Sequence, residues 1–254
     1  MTEEKTIDQN TELFPEESLK EVVEAGVFYG RRKSKTNPKM KPFVLANRGG
    51  IEIINLYKTL EDLTRTLEFV KEKVKGGGMV LLVGTQPAAY EKIDELAQEF
   101  SFPFVVNRWL GGTLTNYKII SKRVEFWKKL RLDSQTGGLE KYTKKEKGIL
   151  ESKMRKLEIL LGGLENMVRL PDVVLMIDPE VHKTAVREAI RMKIPVVAFA
   201  NIDCDPDVLD YFVVGNSKAK KSVDWFLDKV AAVIREGKNA IPVVNESVAA
   251  QSQS

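Results

Sequence analysis

The feature that most constrains the fold is a set of short, continuous apolar runs separated by stretches of helical length. The runs MVLLV, FVV, VVLMI and VVAF occupy residues 79–83, 104–106, 173–177 and 196–199. Continuous apolar character is typical of strands that are covered on both faces, as in a parallel sheet. Amphipathic helix candidates lie beside these runs, at residues 59–75, 88–100, 180–193 and 217–235. The pattern predicts an α/β fold with a doubly wound parallel sheet, to which Leu45 and residues 51–56 add a strand or hairpin.

This alternation is interrupted between residues 113 and 168. Two apolar seams with spacings of three and four residues occur there, Tyr117-Ile120-Val124-Trp127 and Leu150-Met154-Leu157-Leu161-Leu164. Such seams predict a protruding antiparallel coiled-coil helical hairpin. The alternative is two core helices of a larger domain, but the many lysines and arginines around the seams leave only a narrow apolar stripe. We therefore divide the chain into an α/β body (1–112 and 169–236), an inserted basic hairpin (113–168) and a flexible tail (237–254).

Charge is concentrated in blocks, although the whole chain carries only +4. Residues 1–25 have a net charge of −6, residues 26–51 have +7 with no Asp or Glu, and residues 113–168 have +6. Soluble surfaces normally intersperse the two signs, and a single-sign patch attracts polyanions. The segment GRRKSKTNPKMKP also has the composition of a loop, which can follow an irregular phosphate surface. A solvated surface explains either basic block alone about equally well, but not the complete lack of acids across residues 26–51.

Several features limit the cellular setting. A single cysteine, Cys204, excludes an internal disulfide and any zinc site built from cysteines, as in a reducing cytoplasm. The N-terminus lacks the basic and then apolar regions of a secretory signal. No apolar run approaches the roughly 20 residues of a membrane helix. We expect a cytoplasmic protein without membrane association.

No set of residues with catalytic spacing emerges. The best phosphate-loop candidate, at residues 83–86, lacks both GxGxxG and a GK[ST] ending. The single histidine, His182, begins a helix candidate, where an exposed or capping role is expected. The acidic cluster of Asp203, Asp205, Asp207 and Asp210 has two interpretations, a Mg²⁺ site and the formation of turns and helix caps. We favour turns and caps. We predict a non-enzymatic protein without a cofactor or metal.

Several motifs resemble those of one known family. These include EAGV, TNPKMKP, RWLGGTLTN, LGG, IDP, AVREA, IPVVA and CDP, which occur in order across roughly residues 18–236. The combination of TNPKMKP and RWLGGTLTN is highly specific, and on it the chain is identified as a member of the bacterial small-subunit ribosomal protein S2 family.

The resemblance implies a flavodoxin-like parallel sheet with a protruding hairpin, bound to rRNA between the head and body of the small subunit. It also implies contacts with neighbouring small-subunit proteins, including the mRNA-recruiting ribosomal protein S1, and no homo-oligomer. The sequence departs from the family at Phe28 and Arg31, where histidines are frequent, at Gln86, where lysine-rich sequence is usual, and at 217–221, where cations replace acids.

We call residues 26–51, which contain no Asp or Glu, the acid-free loop. The expected rRNA contacts are polar and basic residues of this loop, of the RWLGG segment and of the hairpin. They are Arg31, Arg32, Lys33, Lys35, Asn37, Lys39, Lys41, Arg108, Asn116, Lys118, Lys122, Arg123, Lys129, Lys144 and Lys145. Trp109 and Tyr117 are candidates for stacking on bases, with a core role as the alternative. Two competing hypotheses remain at this point: a phosphate- or nucleotide-binding enzyme of the same fold, and a basic arm that binds an acidic protein.

Overall fold

A five-stranded parallel sheet forms the centre of the molecule in the computed structural model, which describes residues 15–139 and 142–240. The strands are β1 (Tyr29–Arg32), β2 (Val44–Arg48), β3 (Ile51–Ile54), β4 (Val80–Val83), β5 (Phe104–Val105), β6 (Val173–Ile177), β7 (Val196–Ala200) and β8 (Tyr211–Val214). The helices are α1 (Glu16–Glu24), α2 (Leu56–Lys75), α3 (Pro87–Phe100), α4 (Tyr117–Gln135), α5 (Lys144–Leu161), α6 (Lys183–Met192) and α7 (Lys220–Asn239).

The central sheet has the strand order β5-β4-β6-β7-β8, and every pair is parallel. All four apolar runs are strands of this sheet, which confirms the predicted α/β class. Strand β8 was not predicted, because its YFVV sequence follows an acidic, proline-containing turn and has no long apolar run. The order changes direction between β4 and β6, and in such sheets ligands bind in the crevice at that point.

Two apolar cores cover the two faces of the sheet. Leu82, Leu175 and Phe199 point into a core shared with α1, α2, α3 and α7. Their neighbours along the strands, such as Val83 and Met176, point into a second core beneath α6. This burial on both faces is the physical reason why the strand sequences are continuously apolar.

A second, antiparallel sheet with the order β1-β3-β2 contains the acid-free loop. Leu45 and residues 51–54 form the predicted hairpin as β2 and β3. The sheet is joined to the carboxyl edge of the central sheet, since the backbone N–H of Asn37 donates to the carbonyl of Ile202, just after β7, at 2.9 Å. Gly30 lets β1 approach: a Cβ there would lie 2.6 Å from the carbonyl oxygen of Glu52.

Helices α4 and α5 contact one another, and their predicted seam positions are the less exposed ones. Ile120, Val124 and Trp127 are buried on α4, and Leu161 is buried on α5. Ile120, Val124 and Leu161 also belong to the second core of the body. The bases of the two helices are therefore part of the body, as in the core-helix alternative. A coiled coil in the distal part stays a prediction, as does the division into body and insert.

Some predicted boundaries differ from the observed ones. Helix α6 begins at Lys183 rather than at residue 180, because the backbone turns at Asp178, where φ is +59°. Helix α7 continues to Asn239, so residues 237–239 are helical and not part of a tail. The rest of the predicted tail, from residue 241 onward, lies outside the described residues.

Candidate nucleic-acid interface

The acid-free loop has its acidic partners elsewhere in the chain. Arg31 lies with Nε 2.9 Å from Asp203 Oδ2 and with a terminal nitrogen 3.9 Å from Asp178 Oδ2, and its side chain is 24% exposed. Lys39 Nζ is 3.0 Å from Asp205 and 2.5 Å from Asp207. These pairs attach the loop to the residues after β6 and β7. Two of the seven cations thus serve mainly to hold the loop.

The other cations of the loop are exposed and have no acidic partner within the described part of the chain. They are Arg32, Lys33, Lys35, Lys41 and Arg48. Asn37 is not free, because its side chain accepts a hydrogen bond from the Lys39 N–H at 3.0 Å and caps the turn that follows. The loop therefore presents five cations that have no acidic partner among the described residues, on a backbone fixed at both ends.

The acidic cluster has a structural role. Asp205 accepts the N–H of Asp207 at 3.2 Å, and Asp210 accepts the N–H of Val196 at 2.8 Å. Hydrogen bonds from Lys39 and from the Asp207 backbone lower the pKa of Asp205, while burial raises the pKa of Asp203 in spite of Arg31. Across residues 15–139 and 142–240, no group of three His, Cys, Asp or Glu side chains is placed to hold a metal ion.

The RWLGGTLTN segment is held by one buried carboxylate, Glu188 of α6. Its Oε1 accepts the Trp109 indole N–H at 3.0 Å and the Gly112 N–H at 2.8 Å. Its Oε2 accepts the Leu114 N–H at 3.0 Å and both the N–H and the hydroxyl of Thr115, at 3.2 and 3.1 Å. Burial works to raise the pKa of Glu188, but these hydrogen bonds outweigh it and hold the pKa below 4.5. Glu188 thereby sets the path of the chain from β5 into α4.

Sequence reasoning missed Glu188, although a signal for it exists. The residue lies between Ala185 and Ala189 on the apolar face of α6, where an unpaired carboxylate would be costly. A carboxylate on a buried helix face therefore indicates a set of hydrogen-bond donors on the facing segment.

Trp109 and Tyr117 both pack in the core. Both are partly buried against the second core. The Trp109 indole donates to Glu188, and the Tyr117 hydroxyl donates to the Met167 carbonyl at 2.6 Å. Their polar atoms fix the start of α4.

The cations of the hairpin region fall into two groups, those that bond to Glu165 and those that are exposed. Arg131 forms a two-pronged pair with Glu165, and Lys128 donates to the Glu165 carbonyl at 2.8 Å, so both stabilise the base of the hairpin. The predicted contact residues in this region are instead exposed, and their charged groups make no hydrogen bond or ion pair with the described residues. They are Arg108, Lys118, Lys122, Arg123, Lys129, Lys144 and Lys145. Asn116 is also exposed and occupies the N-cap position of α4 without a side-chain cap bond.

The departures from the family pattern around residues 86 and 217–221 are largely used within the protein. The buried Asp178 accepts hydrogen bonds from Gln86 and from Ser217, the latter at 3.2 Å, and pairs with Lys218 at 3.1 Å. Lys220 pairs with Glu91, whereas Lys221 is exposed. Three of the side chains at these positions, Gln86, Ser217 and Lys218, therefore contact Asp178 Oδ2.

The single histidine and the single cysteine are both buried. His182 is 3% exposed rather than at the surface, and burial lowers its pKa. Cys204 is 2% exposed, and burial raises the pKa of its thiol to about 12, so it stays protonated and unreactive. Within residues 15–139 and 142–240, neither is paired with a second group in the manner of a catalytic dyad.

None of the helices in the described ranges combines the length and the apolar character needed to cross a membrane.

The architecture is that of an α/β protein with patches of exposed cations at the carboxyl edge of its sheet and along a helical hairpin, which is typical of proteins that bind a polyanion. Comparison with known proteins identifies the family. The sequence profile of the family described as "Ribosomal protein S2" matches residues 22–237. The small ribosomal subunit protein uS2 of Mycobacteroides abscessus is 41% identical over 223 residues, which cover 88% of this chain and 80% of that protein.

Two further relatives agree with this match. The small ribosomal subunit proteins uS2 of Nocardia farcinica and Rhodococcus erythropolis are each 41% identical over 223 residues, covering 88% of this chain and 78% of theirs. The chain belongs to the ribosomal protein S2 family. It is a structural constituent of the small ribosomal subunit in the cytoplasm and not an enzyme, which removes the hypothesis of a phosphate- or nucleotide-binding enzyme.

Proposed function

We propose that the chain binds small-subunit rRNA through two cationic surfaces. The first, the loop surface, consists of Arg32, Lys33, Lys35, Lys41 and Arg48. The second, the hairpin surface, consists of Lys118, Lys122, Arg123, Lys129, Lys144 and Lys145. The observation that carries the proposal is the lack of internal partners for these cations among the described residues, while neighbouring cations such as Arg31 and Lys39 are paired. Cations without internal partners are available to replace the counterions of phosphates.

The two surfaces have different mechanical support. The loop surface is held to the carboxyl edge of the sheet by the Arg31 and Lys39 ion pairs and by the Asn37–Ile202 hydrogen bond. We infer that Arg31, Asn37 and Lys39 act by positioning the loop rather than by direct contact with rRNA. On the hairpin surface, Lys118, Lys122 and Lys129 follow spacings of four and seven residues and lie along one face of α4. This line of cations follows a phosphate backbone.

Charge neutralisation tests the proposal. The triple variant Arg32→Gln, Lys33→Gln and Lys35→Gln leaves the positioning pairs intact. The control triple variant Lys75→Gln, Lys193→Gln and Lys221→Gln removes the same charge from exposed positions elsewhere. Affinity for small-subunit rRNA is measured against salt concentration, and incorporation is measured by co-sedimentation with small subunits.

The loop variant is expected to lose incorporation and to reduce the salt slope by roughly two to three, about one for each phosphate that is no longer neutralised. The control variant is expected to bind as the unmodified chain does. Equal behaviour of the two variants would contradict the loop assignment. Crosslinks that recover protein but no rRNA would favour the basic-arm hypothesis instead.

We also propose, from the resemblance to the family, that the chain supports the docking of ribosomal protein S1 on the small subunit. Small subunits reconstituted without this chain are expected to retain less S1 after sedimentation than subunits that contain it. Equal retention would contradict this part of the proposal.

A further inference from the structure

A polar cleft of about 510 Å³ lies at the point where the strand order of the central sheet changes direction. It is lined by residues that follow β4, β5 and β6, chiefly Thr85, Asn107, Arg108, Trp109, His182 and Thr184. Its volume is within the range of small-molecule sites, roughly 300–1,000 Å³. The cations of the loop surface do not line it.

The start of helix α6 supplies hydrogen-bond donors to this cleft. Thr184 and Ala185, in the first turn of the ten-residue helix, are lining residues. The N-cap residue His182 makes no side-chain cap bond, and the N–H groups of Lys183, Thr184 and Ala185 have no backbone acceptor in the described part of the chain. Free N–H groups at a helix N-terminus favour an anion.

His182 provides a second, independent observation. The residue is only 3% exposed, and its Nε2 accepts the Thr85 N–H at 3.4 Å. Since Nε2 is the acceptor and burial lowers the pKa of the ring, the neutral ring carries its proton on Nδ1. This Nδ1–H has no acceptor among the residues described, and the ring lines the cleft. A donor on a buried ring without an acceptor indicates that a ligand or solvent oxygen completes it.

Arg108 adds the charge. Its side chain is exposed at the mouth of the cleft and has no carboxylate partner in the described ranges. The nearby carboxylate of Glu188 is already surrounded by five donors and does not compete for Arg108. An arginine, a helix N-terminus and a neutral histidine donor together match a phosphate group.

We propose that this cleft is a nucleotide site, in which the N-terminus of α6, His182 and Arg108 bind one phosphate group while the remaining space receives the attached ribose and base. Two sources supply such a group, a free ribonucleotide or one nucleotide of an RNA strand. The RNA source rests on the function proposed above, and the free-nucleotide source does not.

The test is calorimetric titration of the full chain with two probes, a mixture of the four ribonucleoside monophosphates and a single-stranded RNA of six nucleotides. Arg108→Ala removes the charge. Thr184→Glu places a carboxylate at the helix N-terminus, where it favours the helix but repels a phosphate. Arg191→Ala is the matched control, because it removes an exposed arginine from the far end of α6.

The site predicts binding at least about tenfold weaker for Arg108→Ala, as expected when a charge-assisted hydrogen bond is removed. It predicts no measurable binding for Thr184→Glu, with an unfolding temperature no lower than that of the unmodified chain, and binding within about twofold for Arg191→Ala. Binding of the monophosphates identifies the free source, and binding of the RNA alone identifies the strand.

The proposal is overturned if neither probe binds the unmodified chain, or if all three variants bind alike. These results are distinguishable from a failure of the loop surface, which is measured with the Arg32, Lys33 and Lys35 variant. Loss of incorporation in that variant, together with unchanged probe binding by Thr184→Glu, would overturn the nucleotide site alone.

Discussion

The substitution Glu188→Gln tests whether one carboxylate sets the path of the RWLGGTLTN segment. Both carboxylate oxygens accept hydrogen bonds, two at Oε1 and three at Oε2. A glutamine has one oxygen, so in either orientation its NH₂ group faces at least two N–H or O–H donors. A hydrogen bond to a charged group contributes about 1.5–3 kcal/mol, and a buried donor left without an acceptor costs more than the mean bond. We expect a loss of about 3–5 kcal/mol in the free energy of unfolding.

The assay is urea denaturation at pH 7 and at lower pH. Because the folded pKa of Glu188 lies below its ordinary value of 4.5, its contribution is present above pH 4.5 and is lost as the pH falls through the folded value. The difference between the variant and the unmodified chain should therefore shrink in acid. The control is Glu125→Gln on the exposed side of α4, which should change stability by less than about 0.5 kcal/mol. Equal stabilities for the two variants at pH 7 would refute the role of Glu188.

Three further predictions concern stability. Burial raises the pKa of Asp62 from 3.8 to about 6, and its Oδ2 has no partner within the described residues. Asp62→Asn should therefore raise the free energy of unfolding at pH 7 by about 1–2 kcal/mol, a value that allows for solvent screening of the charge. This gain should disappear as the pH falls from about 6 to about 4, and no gain at pH 7 would contradict the prediction. A Cβ at Gly163 would overlap the Phe104 carbonyl, so Gly163→Ala should lower the free energy of unfolding, measured by thermal unfolding, by about 1–3 kcal/mol. Gly148 has open space around it, so Gly148→Ala should stabilise the chain, and the reverse order of the two variants would contradict the packing argument. Because the pKa of His182 is lowered in the folded chain, its neutral form contributes stability above pH 6.5 that is lost as the pH falls toward the folded-state pKa. His182→Gln should therefore flatten this part of the dependence of the free energy of unfolding on pH. An unchanged dependence would contradict a buried neutral ring.

The central sheet could be predicted because its chemistry is local. A strand buried on both faces must be apolar at successive positions, and β4, β6 and β7 show this directly in the sequence. Strand β1 could not be recognised, because its YGRR sequence pairs at a sheet edge and carries charge. The charge there is balanced by Asp178 and Asp203, far away along the chain.

The candidate interface was predictable in composition but not in detail. The net charge of each segment indicates that the loop and the hairpin are cationic. It does not distinguish one cation of a segment from another. The structure distinguishes Arg31 and Lys39, which have carboxylate partners, from Arg32 and Lys33, which have none among the described residues. Partners of this kind depend on tertiary contacts, so no local pattern reveals them. The cleft at His182 is also non-local, since it joins the ends of three strands.

The most direct test of the proposed rRNA interface is a crosslink map of this chain in purified small subunits. Crosslinks from rRNA are expected at Arg32, Lys33, Lys35 and Lys41, and along α4 at Lys118, Lys122 and Lys129. Crosslinks confined to cations away from both surfaces, such as Lys71, Lys75 or Lys221, would contradict the proposed interface.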